Sequence, residues 1–291
     1  MSAERHRYEY DVDLNKPSAQ ATVVQMAGKD KRVLEIGAGP GSVTKALQEQ
    51  GCRITALEVD SSALPTLQKH CDRVIQADLN EPSWIDSLKG EDPFEVVVIA
   101  DVLEHLYDPR ATLQKIKPLV APGGCIVASL PHVGHASIYA CLFNEDFSYQ
   151  DWGLLDSTHI RFFGLKNMQA LFNETGYEII DATLVILPPE NDIQFSAQWN
   201  GLPTKLRSAI QLNRFSNVYQ VVIKAKPSAT PNKGLRLMSL PTLAAHTVVI
   251  GPSEMETAKS RLKKGLGKIV GEKNCQKIWG KLSRIKCHVI H

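Results

Sequence analysis

Three carboxylates placed around one glycine turn are the first residues of this 291-residue chain whose types and spacing could do chemistry. The turn reads EIGAGPG, Glu35 to Gly41, with glycines at 37, 39 and 41 and Ser42 after them. A dinucleotide fingerprint, G-x-G-x-x-G, spaces its glycines differently. Glu35, just before Gly37, would repel a pyrophosphate and attract an amino group. Glu58 stands seventeen residues beyond Gly41, where a carboxylate takes ribose hydroxyls. Asp78, in VIQADL, adds an acceptor suited to an adenine amino group. The ligand these groups expect is a nucleoside that carries positive charge.

Four histidines form the second group: His105, His132, His135 and His159. A positioned base that removes a hydroxyl proton is worth about 10²–10⁴-fold in rate. The stretch DVLEHLYDP holds Asp101, Glu104 and His105. On one helix face, Asp101 with Glu104 or His105 could hold a divalent metal. In the plainer reading Asp101 lines a cofactor pocket, while Glu104 and His105 cap and orient the next helix. No other ligand cluster converges in the sequence, so no metal is expected, and His105 stays a candidate base.

The stretch LLDSTHIRFF, 154–163, offers His159 as general base and Asp156 as its orienter. Arg161 would bind a substrate carboxylate or buttress the loop. The structural alternative is a clasp, with Arg161 paired to Asp156 and His159 bonded to backbone. His132 and His135, in LPHVGHASI, and Trp152 are further candidate substrate contacts. Tyr149, Phe162 and Phe163 could stack on a ring or fill the core.

These groups need a scaffold, and the hydrophobic pattern supplies one. Strand-like runs alternate with helical segments from residue 32 onward, as in a parallel sheet covered on both faces. Strands are expected at Arg32–Ile36, Arg53–Leu57, Arg73–Ile75, Phe94–Ala100, Cys125–Leu130, Tyr177–Leu187 and Val218–Lys226. Helices are expected after the glycine turn, at Ala63–Leu67, after Asp108-Pro109, at Leu165–Thr175 and near Lys205–Leu212. Ligands in such sheets bind at the carboxyl ends of the strands, which is where the carboxylates and His105 fall. The expected division is an N-terminal cap at 1–30, the main domain at 31–226, a linker at 227–257 and a tail at 258–291. The linker is rich in Pro, Ser, Thr and Gly, although LPTLAAHTVVIG could form a small strand.

The formal net charge of +2 is uneven. Residues 258–291 hold ten Lys/Arg against the single acid Glu272, and the rest is acidic. Leu262, Leu266, Ile269, Ile278, Trp279 and Leu282 give this basic tail an apolar set, which suits an anionic membrane surface or a protein partner. The acidic main part shows no nucleic-acid recognition motif. No run of about eighteen apolar residues and no hydrophobic N-terminal segment occurs, so a cytoplasmic chain, peripheral to the membrane at most, is expected. The six cysteines form no C-x-x-C pair, which favours reduced thiols.

From about Tyr8 to Lys226 the chain resembles the class I S-adenosylmethionine-dependent methyltransferases. Their glycine motif falls on Glu35, Gly37, Ala38, Gly39 and Gly41, their ribose acid on Glu58 with Val59, and their adenine acid on Asp78 with Leu79. Ala100 and Asp101 occupy the segment after strand four, and Pro122, Gly123 and Gly124 the turn before strand five. The resemblance implies a Rossmann-like doubly wound α/β sheet of order 3-2-1-4-5-7-6. It also implies S-adenosyl-L-methionine as cofactor, S-adenosyl-L-homocysteine as product, and Tyr8 and Tyr10 folded over the cofactor mouth.

DVLEHLYDP is similar to a segment of ubiquinone-biosynthesis O-methyltransferases. LLDSTHIRFF resembles L-L-D-x-T-H-[LI]-R-F-F in bacterial methyltransferases of polysaccharide assembly, and LPHVGH resembles their L-P-N-V-x-H with His132 in place of Asn. The second likeness implies methylation of a saccharide or lipid-linked saccharide hydroxyl, in O-antigen or other surface polysaccharide biosynthesis, with a glycosyltransferase as one partner for the tail. The first implies a small-molecule, metal-assisted O-methyltransferase through Asp101, Glu104 and His105. A non-catalytic cofactor-binding scaffold is the third reading.

Overall fold

A computed structural model describes residues 8–242 and 247–250. The chain runs α1 (Ala19–Ala27), β1 (Arg32–Ile36), α2 (Ser42–Glu49), β2 (Arg53–Glu58), α3 (Leu64–Leu67), β3 (Arg73–Gln76) and β4 (Phe94–Ala100). It continues through α4 (Pro109–Ile116), β5 (Val120–Pro131), α5 (Ala136–Phe143), α6 (Leu165–Glu174) and β6 (Tyr177–Ile186). Then come α7 (Ser196–Gly201), α8 (Thr204–Gln211), β7 (Val218–Pro227) and β8 (Thr247–Val249).

The sheet order is β3-β2-β1-β4-β5-β7-β6-β8. The expected seven-strand order therefore stands, with the small strand added outside β6. Only β7 runs antiparallel to its neighbours. Strand alternation sends Val97 and Ile99 of β4 into one core layer and Val96 and Val98 into the other. The first layer holds α4 and α6 through Leu113, Ile116, Met168 and Phe172. The second holds α1 and α2 through Ala19, Val23, Val43, Ala46 and Leu47. The order reverses between β1 and β4, the place where sheets of this kind take their ligands.

Local signals explain several ends. Asp108 caps α4 by accepting from Ala111 N at 2.9 Å, with Pro109 in the first helical position. Gly176, at φ 81°, lets the chain leave α6 in a left-handed turn.

Two expectations about organisation change. Within the expected cap, α1 is buried against the sheet as part of the main domain. The segment read as a linker is folded over 228–242: Leu237 and Leu240 are buried, Leu235 N donates to Ile179 O at 2.7 Å, and Leu237 N donates to Gln169 Oε1 at 2.9 Å. The basic tail at 258–291 lies outside the described residues, and so does everything expected of its partners. Among the described residues no helix is long and apolar enough to cross a membrane.

Candidate functional site: an acidic crevice beside a Glu-His-His cluster

The glycine turn leaves β1 and enters α2 with Gly37, Gly39 and Gly41 all at positive φ. Two of these positions require glycine for different reasons. At Gly37, φ 68°, a Cβ would stand 2.6 Å from Val102 Cγ2, so the turn packs directly on the loop after β4. At Gly39, φ 55°, a Cβ would meet nothing within 4 Å, and its space opens into the crevice. Gly37 N and Ala38 N both donate to Leu57 O, which ties the turn to the end of β2.

Glu35 and Glu58 face this turn. Glu58 is buried, and its Oε2 accepts from Gly39 N at 2.6 Å while its Oε1 accepts from Val59 N and Asp60 N at 2.8 Å. The Val59 side chain is exposed. Glu35 is 2% exposed, and its Oε2 has no protein partner. Burial pushes its pKa up to about 8, with the nearby Glu58 adding to the rise and the Thr44 hydroxyl offsetting part of it. A buried carboxyl group with one unpartnered oxygen and an open backbone turn fit a ligand with an ammonium group. Asp78 and Leu79 follow β3, half-buried, on the same edge of the sheet, and Ala77 N donates to Glu58 O at 3.0 Å.

Asp101 follows Ala100 at the end of β4 in the left-handed region, φ 54°. Its Oδ1 accepts from Ser129 Oγ at 2.8 Å and from Gln220 Nε2 at 2.9 Å, and its Oδ2 accepts from Gln20 Nε2 at 3.4 Å. Burial raises its pKa. Three elements, α1, β5 and β7, are thus drawn to one carboxylate, and Ser129, Gln20 and Gln220 were not singled out in the sequence because nothing near them marks a site. Tyr10 also packs here, its pKa raised by burial and by Asp101 and Glu35. Tyr10 N donates to Ser42 Oγ and Ser42 Oγ donates to Tyr8 O, both at 2.9 Å. The segment carrying Tyr8 and Tyr10 is thus tied to the start of α2, next to the glycine turn.

The two histidine-bearing motifs meet. Ile160 N and Arg161 N both donate to Glu104 O at 3.0 Å, which clamps the 154–163 loop onto the segment after β4. The rings of His105 and His159 stand edge to face with centroids 4.8 Å apart. Glu104 Oε1 lies 3.8 Å from His159 Nε2. One donor atom from each of Glu104, His105 and His159 lies within 4.8 Å of the others. Glu104 is fully buried and neither carboxylate oxygen has a hydrogen-bond partner. Burial, with Asp101 and Asp156 nearby, holds its pKa well above the usual carboxylate range. Burial and His105 lower the pKa of His159 to about 4, so its ring is neutral at physiological pH.

Several expected roles are corrected. Asp156 does not orient His159. Its Oδ1 accepts from Thr158 N and Thr158 Oγ1, and its Oδ2 accepts from Tyr8 OH at 3.2 Å. The His159 ring is instead held by Leu154 O, 3.3 Å from Nδ1. Arg161 is exposed and its Nη2 donates to Tyr107 O at 2.6 Å, so the buttress reading fits it better than a substrate contact or a pair with Asp156.

His132 and His135 are core residues. His132 Nδ1 bonds Val218 O at 3.0 Å. His135 caps α5 by accepting from Ser137 N, and its Nε2 donates to Leu187 O at 2.7 Å. Burial holds both at a pKa of about 4. Trp152 is half-buried against the second core layer. Asp101, expected as a metal ligand in one reading, turns to Ser129 and Gln220, and His159 takes its place beside Glu104 and His105. The sequence showed both motifs but not that they converge.

Comparison with known proteins agrees with this geometry. The family "Methyltransferase domain" matches residues 6–182. A ubiquinone biosynthesis O-methyltransferase of Azotobacter vinelandii is 31% identical over 109 residues, 36% of this chain and 46% of that protein. One from Dinoroseobacter shibae is 24% identical over 195 residues, 66% of this chain and 73% of that protein. The chain spans about half the length of most of these curated relatives. The solved structure of a Bacillus halodurans protein named for the methyltransferases shares the fold, with TM-score 0.50 at 16% identity over 72% of this chain and 99% of that one. With the acidic crevice, the glycine cradle and this match over most of the domain, the chain belongs to the methyltransferase-domain family, whose methyl donor is S-adenosylmethionine.

Proposed function

We propose that this chain transfers the methyl group of S-adenosylmethionine to a hydroxyl of a small organic molecule. The observation that carries this reading is the adjacency of two unlike sites. A glycine turn beside the buried Glu35, one of whose oxygens lacks a partner, suits the donor, and the Glu104-His105-His159 cluster, which begins three residues past Asp101, suits an acceptor oxygen. S-adenosylmethionine supplies the electrophilic methyl carbon. Glu35 and Glu58 orient it, Asp101 fixes the meeting of β4, β5 and β7, and the cluster draws off the hydroxyl proton. Alignment of donor and acceptor is the main contribution of the rest of the fold.

The saccharide reading loses ground on residues. His132, His135 and Arg161, expected as substrate contacts, are occupied with backbone carbonyls, while Tyr149 and Phe162, expected to stack on a ring, are exposed. The curated relatives named above are O-methyltransferases of ubiquinone biosynthesis, which supports a small hydroxylated acceptor. The test is transfer of labelled methyl from S-adenosylmethionine to a panel of phenols, catechols and sugars. Label on a phenolic oxygen, lowered about 10²–10⁴-fold in His159→Ala, is the expected result. Label on sugars alone would restore the saccharide reading.

A further inference from the structure

The chain between β6 and β7 takes no part in the sheet and none in the chemistry described so far. It folds into α7 and α8, which pack on α5 through a small separate core of Ala136, Ala140, Trp199 and Leu202, with Leu206 and Ile210 of α8 against it. Residues three and four apart share a helix face. Leu206 and Ile210 occupy the packed one, and Thr204, Arg207, Ser208 and Gln211 fall together on a second face that is wholly polar. This polar face lines a hollow of about 210 Å³, which Trp199 and Glu190 also line.

Two features of the hollow call for a ligand. Arg207 Nε is buried without a hydrogen-bond partner, and among the described residues no carboxylate pairs with its guanidinium. A buried N–H left without an acceptor is costly. Glu190 is exposed and lines the same hollow, yet no ion pair joins it to Arg207, so two opposite charges stand apart with space between them. We propose that this hollow binds a small molecule with a carboxylate or phosphate at one end and hydroxyl or amino donors at the other. The planar guanidinium fork of Arg207 matches an oxyanion, and the Thr204 and Ser208 hydroxyls serve its remaining oxygens. Glu190 only accepts, so it takes the donor end. The inserted segment also braces the chain that leads into the 154–163 loop: Gln198 Nε2 donates to Asp146 Oδ2 at 2.9 Å, and Gln194 Nε2 donates to Trp152 O at 2.8 Å. The hollow shares no residue with the glycine turn or the Glu104-His105-His159 cluster, so its ligand does not depend on the methyl-transfer reading.

The experiment uses the full chain with S-adenosylhomocysteine in excess, to fill the donor site. Glycerol phosphate, serine and, as the bare-ion control, inorganic phosphate are titrated by calorimetry. Saturable binding of glycerol phosphate or serine is expected, at least about fivefold tighter than phosphate and weakened about tenfold or more in Arg207→Gln. Glu190→Gln tells the two ligand types apart: it weakens serine, whose ammonium loses its counter-charge, and spares glycerol phosphate, whose hydroxyls still find an acceptor. Both substitutions lie outside the two main core layers, and circular dichroism checks that the variants fold. No saturable binding by the wild type, or binding unchanged in Arg207→Gln, would overturn the proposal, and so would phosphate held as tightly as the larger probes, an adventitious ion only. Failure of S-adenosylhomocysteine to bind would count against the methyl-transfer reading alone, since the Arg207→Gln comparison stands without it.

Discussion

Glu35 is a neutral acid in the ligand-free fold near neutral pH, since burial pushes its pKa from the ordinary 4.5 to about 8. The folded chain then holds a proton that the unfolded chain releases. Stability from this residue is therefore present below 4.5 and is lost as pH rises toward about 8. A donor ammonium reverses the preference, because it favours the ionised carboxylate. Affinity for S-adenosylmethionine is predicted to rise with pH by up to about tenfold per unit until Glu35 titrates, and to stay flat in Glu35→Gln. Calorimetry at a series of pH values checks this; parallel curves for the two proteins would refute it. Gly37→Ala tests the turn itself. It forces a left-handed Cβ, a cost of about 1–2 kcal/mol, against Val102. A thermal melt and a donor titration should both show the loss. The spacing of Glu35, Glu58 and the glycines made this half of the site legible, because their roles depend on the ends of adjacent strands.

At the scale of elements, the N-terminal segment ties the two halves of the site together. Tyr8 reaches the glycine turn through Ser42 and the acceptor loop through Asp156, while Tyr10 packs beside Glu35 and Asp101. Tyr8→Phe with Tyr10→Phe is predicted to weaken donor binding about tenfold while the melting temperature moves little, read by calorimetry and circular dichroism. Equal donor affinity would show that the segment only covers the surface. Three helices escaped the sequence reading, α1, α5 and the short α7. α1 carried a usable signal, Ser18 as cap accepting from Ala21 N at 3.0 Å, but its short run with three β-branched residues gives a weak helical pattern. α5, ASIYACLF, is apolar nearly throughout, and such a run has no periodicity to separate helix from strand. That hidden helix is why His135 read as a loop residue when it is a buried cap.

For the molecule as a whole, the alternation of strands and helices made a sheet covered on both faces readable, while its seven-strand order was legible only through the resemblance to the class I methyltransferases. What could not be read was which loops meet. The clamp from Ile160 N and Arg161 N to Glu104 O joins segments more than fifty residues apart and leaves no mark in either motif. The same holds for 228–242, whose turn-rich composition hides two buried leucines. Leu237→Ala is expected to cost about 2–5 kcal/mol in denaturant unfolding, since Leu237 is fully buried against the α6 layer; a change near zero would return that stretch to a linker. The donor site and the chemistry beside it depend on the glycine turn taking a positively charged nucleoside. Calorimetry of the wild-type chain with S-adenosylmethionine and with NAD, in the same buffer, tests that most directly. Saturable binding of the first and none of the second is predicted, and binding of NAD with no heat from S-adenosylmethionine would contradict it.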